Sequence, residues 1–511
     1  MRLFPVIIIT SLLASPQILH AAPQTAAKPN IVLILGDDMA IDSVSAYNDQ
    51  LGLKTPHLDQ LASEGISFMD AHSTSGVCSP SRYSVLTGRY HWRSRLKRGI
   101  VGKWERPLIK NSRLTLPEML RVQGYATACI GKWHLGWHWP KKGGGTTEKF
   151  TEIDFTKPVK GGPIDHGFDY YYGDDVPNWP PYAWRENDKI IGPLDSTMNA
   201  GSMVGVSSGP SVKDWDFSAV LPEYARRCSK YIHGRKGKTQ PFFLFFPMPS
   251  PHTPIAPDKT WQGKSGVSEY ADFLLETDWV VGQVLKAIKD SGQEDNTIVI
   301  FTCDNGTSPK CDFAGLEKKN VNLRHHWRGN KADVYEGGHR VPFIVKWKNH
   351  AIAGSRTNET ITHTDIMRTL AEATQGKLPE TAAVDSVSLI PAIKKQVRAH
   401  PLHDIVINQS GSGYFAVRKG PWKLLLCRGS GGWSEPKEAA AAKKGLPKVQ
   451  LYNLEQDPKE QKNLQAQYPE KVQQLTAALR SSIEAGRSTP GTTKLDDDDT
   501  TWWKGLPWTA K

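Results

Sequence analysis

Four stretches of this chain run almost unbroken in apolar residues and then stop abruptly. They are Asn30 to Leu35 ahead of Gly36-Asp37-Asp38, Ala126 to Ile130 ahead of Gly131, Phe242 to Phe246 between two prolines, and Asn296 to Cys303 ahead of Asp304-Asn305-Gly306. A strand with one wet face alternates apolar and polar residues, so a short run that does not alternate suits a strand covered on both faces, as in a parallel sheet. Val341 to Trp347 reads the same way. Between these runs, Thr55-Pro56 is a helix-start signal followed by helical spacing of Leu58, Leu61 and Ala62, and Glu269 to about Lys289 keeps an apolar helical period. Strands alternating with helices imply crossover connections, hence an α/β fold with a large mixed, mostly parallel sheet sandwiched by helices.

The pattern changes after about residue 400. Asp404 to Gln409, Tyr414 to Leu426 and Val449 to Leu454 read as antiparallel strands, and Pro469 to Ala485 as one amphipathic helix, a smaller C-terminal α+β subdomain. The expected division is a leader over residues 1–22, an α/β domain over 29–400, the subdomain over 401–490 and an irregular tail over 491–511. That tail carries four aspartates, Asp496 to Asp499, and then three tryptophans; it either packs back on the body or touches carbohydrate.

The polar clusters fall at informative places. Asp37-Asp38, Lys132 with His134, His252, and Asp304-Asn305 each follow the C-terminal end of an expected strand. Ligands of open α/β sheets bind at that edge. Clusters from four distant parts of the chain would therefore meet at one place.

Composition narrows the partner. Lys and Arg number 64 against 52 Asp and Glu, a formal charge of +12, which favours an anionic partner: nucleic acid, an acidic membrane face or an acidic substrate. No nucleic-acid-binding motif accompanies the charge. The six cysteines include no CxxC pair, so neither a zinc ribbon nor a thioredoxin-type motif is present. Cys303 and Cys311 flank the Asp304-Asn305-Gly306 loop and suit either a short disulfide or a free buried pair, while Cys129 lies in a core strand.

The sharpest local motif is Cys78-Ser79-Pro80-Ser81-Arg82 with Leu86-Thr87-Gly88-Arg89 behind it. In chain order come Asp37-Asp38, this motif, Gly131-Lys132-Trp133-His134-Leu135-Gly136, Ser250-Pro251-His252-Thr253-Pro254, Asp304-Asn305-Gly306 and Lys331 to Gly338. Together they resemble the type I sulfatases, the formylglycine-dependent family of the alkaline-phosphatase superfamily, and its arylsulfatase A-like branch in particular. The resemblance spans roughly residues 29 to 480.

A sulfate monoester is anionic. Its hydrolysis needs positive charge on the non-bridging oxygens, an activated oxygen nucleophile and an acid for the leaving alkoxide. Asp37, Asp38, Asp304 and Asn305 are hard oxygen donors that suit Ca²⁺, or Mg²⁺ in a smaller and more rigid site. The resemblance implies one calcium ion, with Cys78 oxidised to formylglycine by a separate maturating enzyme and completing the metal shell. It also implies that one hydroxyl of the aldehyde hydrate attacks sulfur, that Arg82 orients the hydrate, and that Lys132 and Lys331 hold sulfate oxygens. By the same resemblance His134 takes a proton during sulfate release, His252 protonates the leaving oxygen, and Asp304 doubles as a base.

For the substrate, Asp174, Asp175 and Tyr182 lie with Trp179 in an acidic, aromatic, proline-rich loop that suits sugar hydroxyls and ring faces, although aromatic loops more often simply pack. His325-His326 point to opposite faces if extended, which favours substrate or surface contact over metal. The expected function is hydrolysis of a sulfated carbohydrate, the alternatives being a phosphate-ester hydrolase of the same superfamily or a non-catalytic glycan-binding relative. Met1-Arg2, the apolar stretch Leu3 to Leu13 and Ala21-Ala22 read as an export signal. The mature chain is then periplasmic or extracellular, with no integral membrane segment and no nucleic-acid partner.

Overall fold

The computed structural model describes residues 28–491 and 503–506; the expected leader lies outside the described residues. Ten strands form the principal sheet: β1 (Asn30–Gly36), β2 (Ile66–His72), β3 (Ala126–Ile130), β4 (Tyr170–Gly173), β5 (Arg185–Glu186), β6 (Lys189–Ile190), β7 (Phe242–Pro247), β8 (Thr297–Cys303), β9 (Phe343–Trp347) and β10 (Ser355–Thr362). Their order is β10-β2-β9-β8-β1-β7-β3-β4-β5-β6. The central neighbours β8, β1, β7 and β3 are mutually parallel, whereas β9 runs antiparallel to both β8 and β2.

The unalternating sequence of β1 has its cause in this layering. Ile31, Leu33 and Leu35 point to one face, against α2 (Cys78–Thr87), α3 (Leu116–Val122) and α6 (Asp365–Ala373). Val32 and Ile34 point to the other, against α1 (Pro56–Glu64), α4 (Val220–Gly234) and α5 (Glu269–Asp290). With a strand period of two, both faces demand apolar side chains.

Thr55 stands at the N-cap of α1, but its side chain makes no capping bond. Asp278 of α5 accepts from the His57 and Leu58 N–H groups instead, at 3.1 and 2.8 Å. The helix start is thus satisfied by a neighbouring helix, which also fixes how the two pack.

The second sheet holds β11 (Val406–Gln409), β12 (Phe415–Lys419), β13 (Trp422–Leu425) and β14 (Gln450–Asn453), all antiparallel. It shares an apolar core with α7 (Pro469–Glu484) and with Trp92, Trp503 and Leu506. The described part of the tail therefore packs on the body, with Trp503 Nε1 donating to the Trp92 carbonyl at 3.0 Å. Cys303 and Cys311 are free and buried, as are the other four cysteines, and Cys129 sits in the core.

A buried ionic seam joins the sheets. Lys423 of β13 places Nζ 2.8 Å from Glu336 Oε1 and 2.9 Å from Glu460 Oε1. Arg418 of β12 reaches Asp70 of β2 at 2.8 Å, and Arg340 bridges Glu336 and Asp70. Removing one member of such a network leaves an uncompensated buried charge. Lys423→Met is expected to lower the unfolding free energy by about 3–5 kcal/mol in urea titrations followed by tryptophan fluorescence; an unchanged midpoint would show that the seam holds nothing together.

Candidate active site

The loops leaving β1, β3, β7 and β8 stay bonded to their neighbours for one to three residues past the strands. Asp37 N–H donates to the Ser250 carbonyl, Met39 N–H to Asn305, Asp304 N–H to Gly36 and Lys132 N–H to Pro247, at 2.8–3.1 Å. Asp37, Asp38, Lys132, His252, Asp304 and Asn305 are thereby gathered at one sheet edge. Asp38 and His134 adopt left-handed backbone (φ 66° and 55°). Non-glycine residues persist there when the surroundings hold them, and such strain clusters at functional sites. At Gly306 any Cβ would lie 1.9 Å from the Gly337 carbonyl oxygen, so only glycine lets the β8 loop rest on the Lys331–Gly338 segment.

Cys78 is the first residue of α2, 2% exposed, at a helix start that no side chain caps. The positive end of the helix dipole therefore faces the cluster. Cys78 Sγ lies 3.7 Å from Asp37 Oδ1 and 3.6 Å from Lys331 Nζ. Arg82, one turn on, contacts Asp304 Oδ2 through Nε and Nη2 at 3.0 and 2.8 Å, reaches Asp37 Oδ2 at 3.2 Å, and donates to the Lys132 carbonyl at 2.8 Å. Lys132 ion-pairs with Asp37, and Lys331 lies 2.5 Å from Asp38 Oδ1. Three buried carboxylates are thus matched by three buried cations.

The charges shape one another. Burial alone would raise the Asp37 pKa, but Lys132, with help from His252, Arg82 and Lys331, holds it well below the usual carboxylate range. Asp304 is pushed up to about 7 by burial and by the Asp37 carboxylate, against the pull of Arg82. Burial lifts the Cys78 thiol to about 12 despite Lys132 and Lys331. An unmodified thiol there stays protonated at neutral pH and is a poor nucleophile.

Each histidine is oriented by a carbonyl. His134 Nε2 donates to Val101 O at 3.2 Å, and its buried Nδ1 has no partner among the described residues. His252 Nδ1 donates to Thr253 O at 2.6 Å, leaving Nε2 toward Asp38 Oδ2 at 3.9 Å. A neutral ring that donates through one nitrogen presents a lone pair on the other. Burial, with Lys132 and Lys331, holds His252 down at about 4, and burial with Lys132 and Arg82 holds His134 well below its ordinary value.

The cluster offers donors that could hold a metal ion, the carboxylates among them suiting a hard cation. Asp37, Asp38, Cys78 and His252 each offer a ligand atom within 4.8 Å of the others. Asn305 Nδ2 donates to Asp38 Oδ1 at 2.7 Å, while its buried Oδ1 has no partner among the described residues, an acceptor of the kind a metal ion would satisfy. Asp304 lends Oδ2 to Arg82 and Oδ1 to the Asp38 N–H at 3.3 Å.

The other sequence candidates are placed differently. Asp175 Oδ1 accepts from the His134 N–H at 3.1 Å, so it positions that histidine. Asp174 is buried, accepts from Tyr224 at 3.0 Å, and is raised to about 6 by burial. Tyr182 is 2% exposed, and its hydroxyl lies 2.8 and 2.6 Å from the Asn178 and Ser207 carbonyls, so it shapes the loop from within. His326 pairs with Asp42 at 2.7 Å and His325 packs edge-on against it, neither contacting the Cys78 cluster.

Two tryptophans flank the cluster, Trp179 from the loop of residues 174–182 and Trp433, which no sequence motif singled out. Trp179 packs edge-on against His134 with ring centroids 5.1 Å apart. Trp433, 49% exposed, lies 6.0 Å from Lys331 Nζ and comes from the second sheet's loop. The signal for Trp433 is slight: one aromatic between Gly431-Gly432 and Pro436, in a segment whose approach to the site depends on tertiary packing. Asp333 makes that approach. Its carboxylate accepts from Asn330 N–H (2.9 Å), Trp433 N–H (2.7 Å), Ser434 N–H (3.1 Å) and the Ser434 hydroxyl. Asp333→Ala is expected to leave those donors unpaired, lower stability by about 2–4 kcal/mol and expose residues 429–436 to limited proteolysis. A loop as resistant as in the parent protein would disprove the clamp.

Comparison with known proteins gives this geometry a family. The Sulfatase family model matches residues 29–376. An N-acetylgalactosamine-6-O-sulfatase of Bacteroides thetaiotaomicron is 29% identical over 503 residues, covering 90% of this chain and 94% of the relative. An N-acetylgalactosamine-6-sulfatase of Rattus norvegicus is 28% identical, covering 85% and 76%. A sulfatase structure from work on glycosaminoglycan metabolism in Bacteroides thetaiotaomicron superposes with a TM-score of 0.77 at 28% identity, covering 89% of this chain and 99% of that one. With its α/β sheet, its ordered motifs and this match over most of its length, the chain belongs to the sulfatase family and is a sulfuric ester hydrolase.

Proposed function

We propose that the protein is an exported, calcium-assisted, formylglycine-dependent sulfatase that removes sulfate from a sulfated saccharide, of the N-acetylgalactosamine or galactose type. The observation that carries this reading is the position of Cys78: at a helix start, within 4 Å of both Asp37 and Lys331, inside three carboxylates balanced by three cations. The names of the relatives favour the sugar class. Export is favoured by the basic, apolar and small-residue order of residues 1–22, and among the described residues no helix is long and apolar enough to cross a membrane.

Calcium held by Asp37, Asp38, Asp304 and Asn305 supplies positive charge for the sulfate oxygens, and formylglycine made from Cys78 by a maturating enzyme supplies the oxygen nucleophile. This chain's own groups do the rest. Lys132 and Lys331 release part of their hold on Asp37 and Asp38 to grip sulfate oxygens as point charges. Arg82 keeps Asp37 and Asp304 apart and fixes the nucleophile's end of the helix. His252 carries a proton at Nε2 to the leaving oxygen; a bound anion offsets the lysine charges that otherwise keep this ring neutral. His134 takes a proton at its unpartnered Nδ1.

The Cys78 peptide of the native protein is expected to be about 18 Da lighter than the thiol form by mass spectrometry, and the enzyme to release sulfate from defined sulfated saccharides. A full-mass thiol peptide in active protein, or faster release of phosphate than of sulfate, would refute the reading. His252→Ala should cost about 10²–10⁴-fold in kcat on a saccharide sulfate and far less on an aryl sulfate whose phenolate leaves unaided. Equal losses on both would remove the acid role. Chelation should abolish turnover and lower Tm, with added calcium restoring both.

A further inference from the structure

The far edge of the principal sheet carries a cleft that the reaction does not use. Its cavity, about 820 Å³, lies between residues 150–158 and the terminal strand β6. The floor is apolar, including Phe150, Phe155 and Ile190, while Lys142, Lys157 and Lys189 stand around it. Phe150 is 44% exposed and stacks on Trp104 at 5.3 Å, so one ring face is backed and the other is presented outward.

The charges around the cleft are sorted. Nearby acids are paired with other lysines: Glu152 with Lys141 and Lys149, and Asp188 with Lys160. Among the described residues one carboxylate lines the cleft, Asp154, which accepts from the Thr156 N–H and hydroxyl at 3.1 and 2.6 Å and is near enough to Lys157 and Lys142 to feel their charge. Among the described residues Lys142, Lys157 and Lys189 make no ion pair, and Lys142 only donates to the Thr151 carbonyl at 3.3 Å. An apolar floor with three lysines against a single carboxylate at its rim carries excess positive charge and matches a chain of sugar rings bearing anionic groups: rings pack on the floor and sulfates meet the ammonium groups.

The cleft is also tied to the catalytic mouth by two consecutive residues. Lys103 Nζ lies 5.9 Å from the Trp179 ring that packs on His134, and Trp104 backs Phe150.

We propose that this cleft is a second, non-catalytic binding site for a sulfated polysaccharide chain, anchoring the polymer while its sulfate esters are presented at Cys78. The choice of occupant rests on the saccharide-sulfatase reading above; the cleft itself rests on its shape and charge.

The test uses the full-length enzyme with long chondroitin sulfate chains, desulfated chondroitin and a sulfated monosaccharide. The wild type should bind the sulfated chains in a salt-dependent manner and the desulfated ones more weakly. The triple variant Lys142→Ala, Lys157→Ala, Lys189→Ala should bind the sulfated chains at least about ten-fold more weakly, with the slope of log Kd against log salt reduced by about two to three. Its kcat/KM on the monosaccharide should be unchanged, which also certifies its fold. Equal chain affinity in variant and wild type overturns the site. Should the triple variant not fold, acetylation of the wild type decides: sulfated chains must protect Lys142, Lys157 and Lys189 but not Lys236 or Lys318, and unprotected cleft lysines overturn the proposal. A wild type that hydrolyses no saccharide sulfate, while chain binding still depends on these lysines, removes the functional reading and leaves the site. Saccharide hydrolysis without lysine-dependent chain binding does the reverse.

Discussion

Burying Asp37, Asp38 and Asp304 beside one another is the condition on which the rest of this molecule is arranged. Carboxylates in a low-dielectric interior repel one another strongly and keep their charge only if cations are buried with them. Arg82, Lys132 and Lys331 are those cations, and each comes from a different part of the chain: a helix, the end of β3, and the segment before Gly337-Gly338. The parallel alignment of β8, β1, β7 and β3 makes the meeting possible because their C-terminal ends finish at one edge. Net neutrality among the side chains also means that a divalent cation would leave the site positive, the polarity an anionic ester requires.

Much of this was legible in the sequence. The runs from Asn30, Ala126, Phe242 and Asn296 declare themselves because both faces of a central strand are covered. The polar residues that follow stand out by contrast. β2 and β10 are a different case. β2 sits inside the sheet yet carries Asp70 and His72, whose polarity is answered by Arg340, Arg418 and His339 from remote segments. β10 is half-exposed and largely polar, so it offers no apolar period. Thr55 read as a helix cap because the local pattern permits it; the actual acceptor, Asp278, lies 221 residues from His57 on a different helix, invisible to neighbour-by-neighbour reading.

The site shows the same division. Metal-type carboxylates, the Cys78 motif and the histidines were readable because they directly follow strands or form compact motifs. The roles of Asp175, Asp333 and Trp433 were not, since each acts through contacts across the fold. Tyr182 shows the converse limit: an aromatic in a sugar-like loop whose hydroxyl is spent on the backbone of that same loop. Residue type told what a side chain can do, and packing decided whether it was free to do it.

The burial of Cys78 has a consequence in time. Its helix follows β2, which pairs with β9 and β10, strands that leave the ribosome some 270 residues later. Until those strands arrive, β2 has no partners and the motif behind it has no reason to be helical or enclosed. Once they arrive, the residue is 2% exposed at the base of a charged cluster. Access to this cysteine by any other protein is therefore tied to strand order, since the pairing that encloses it needs segments far downstream in the chain.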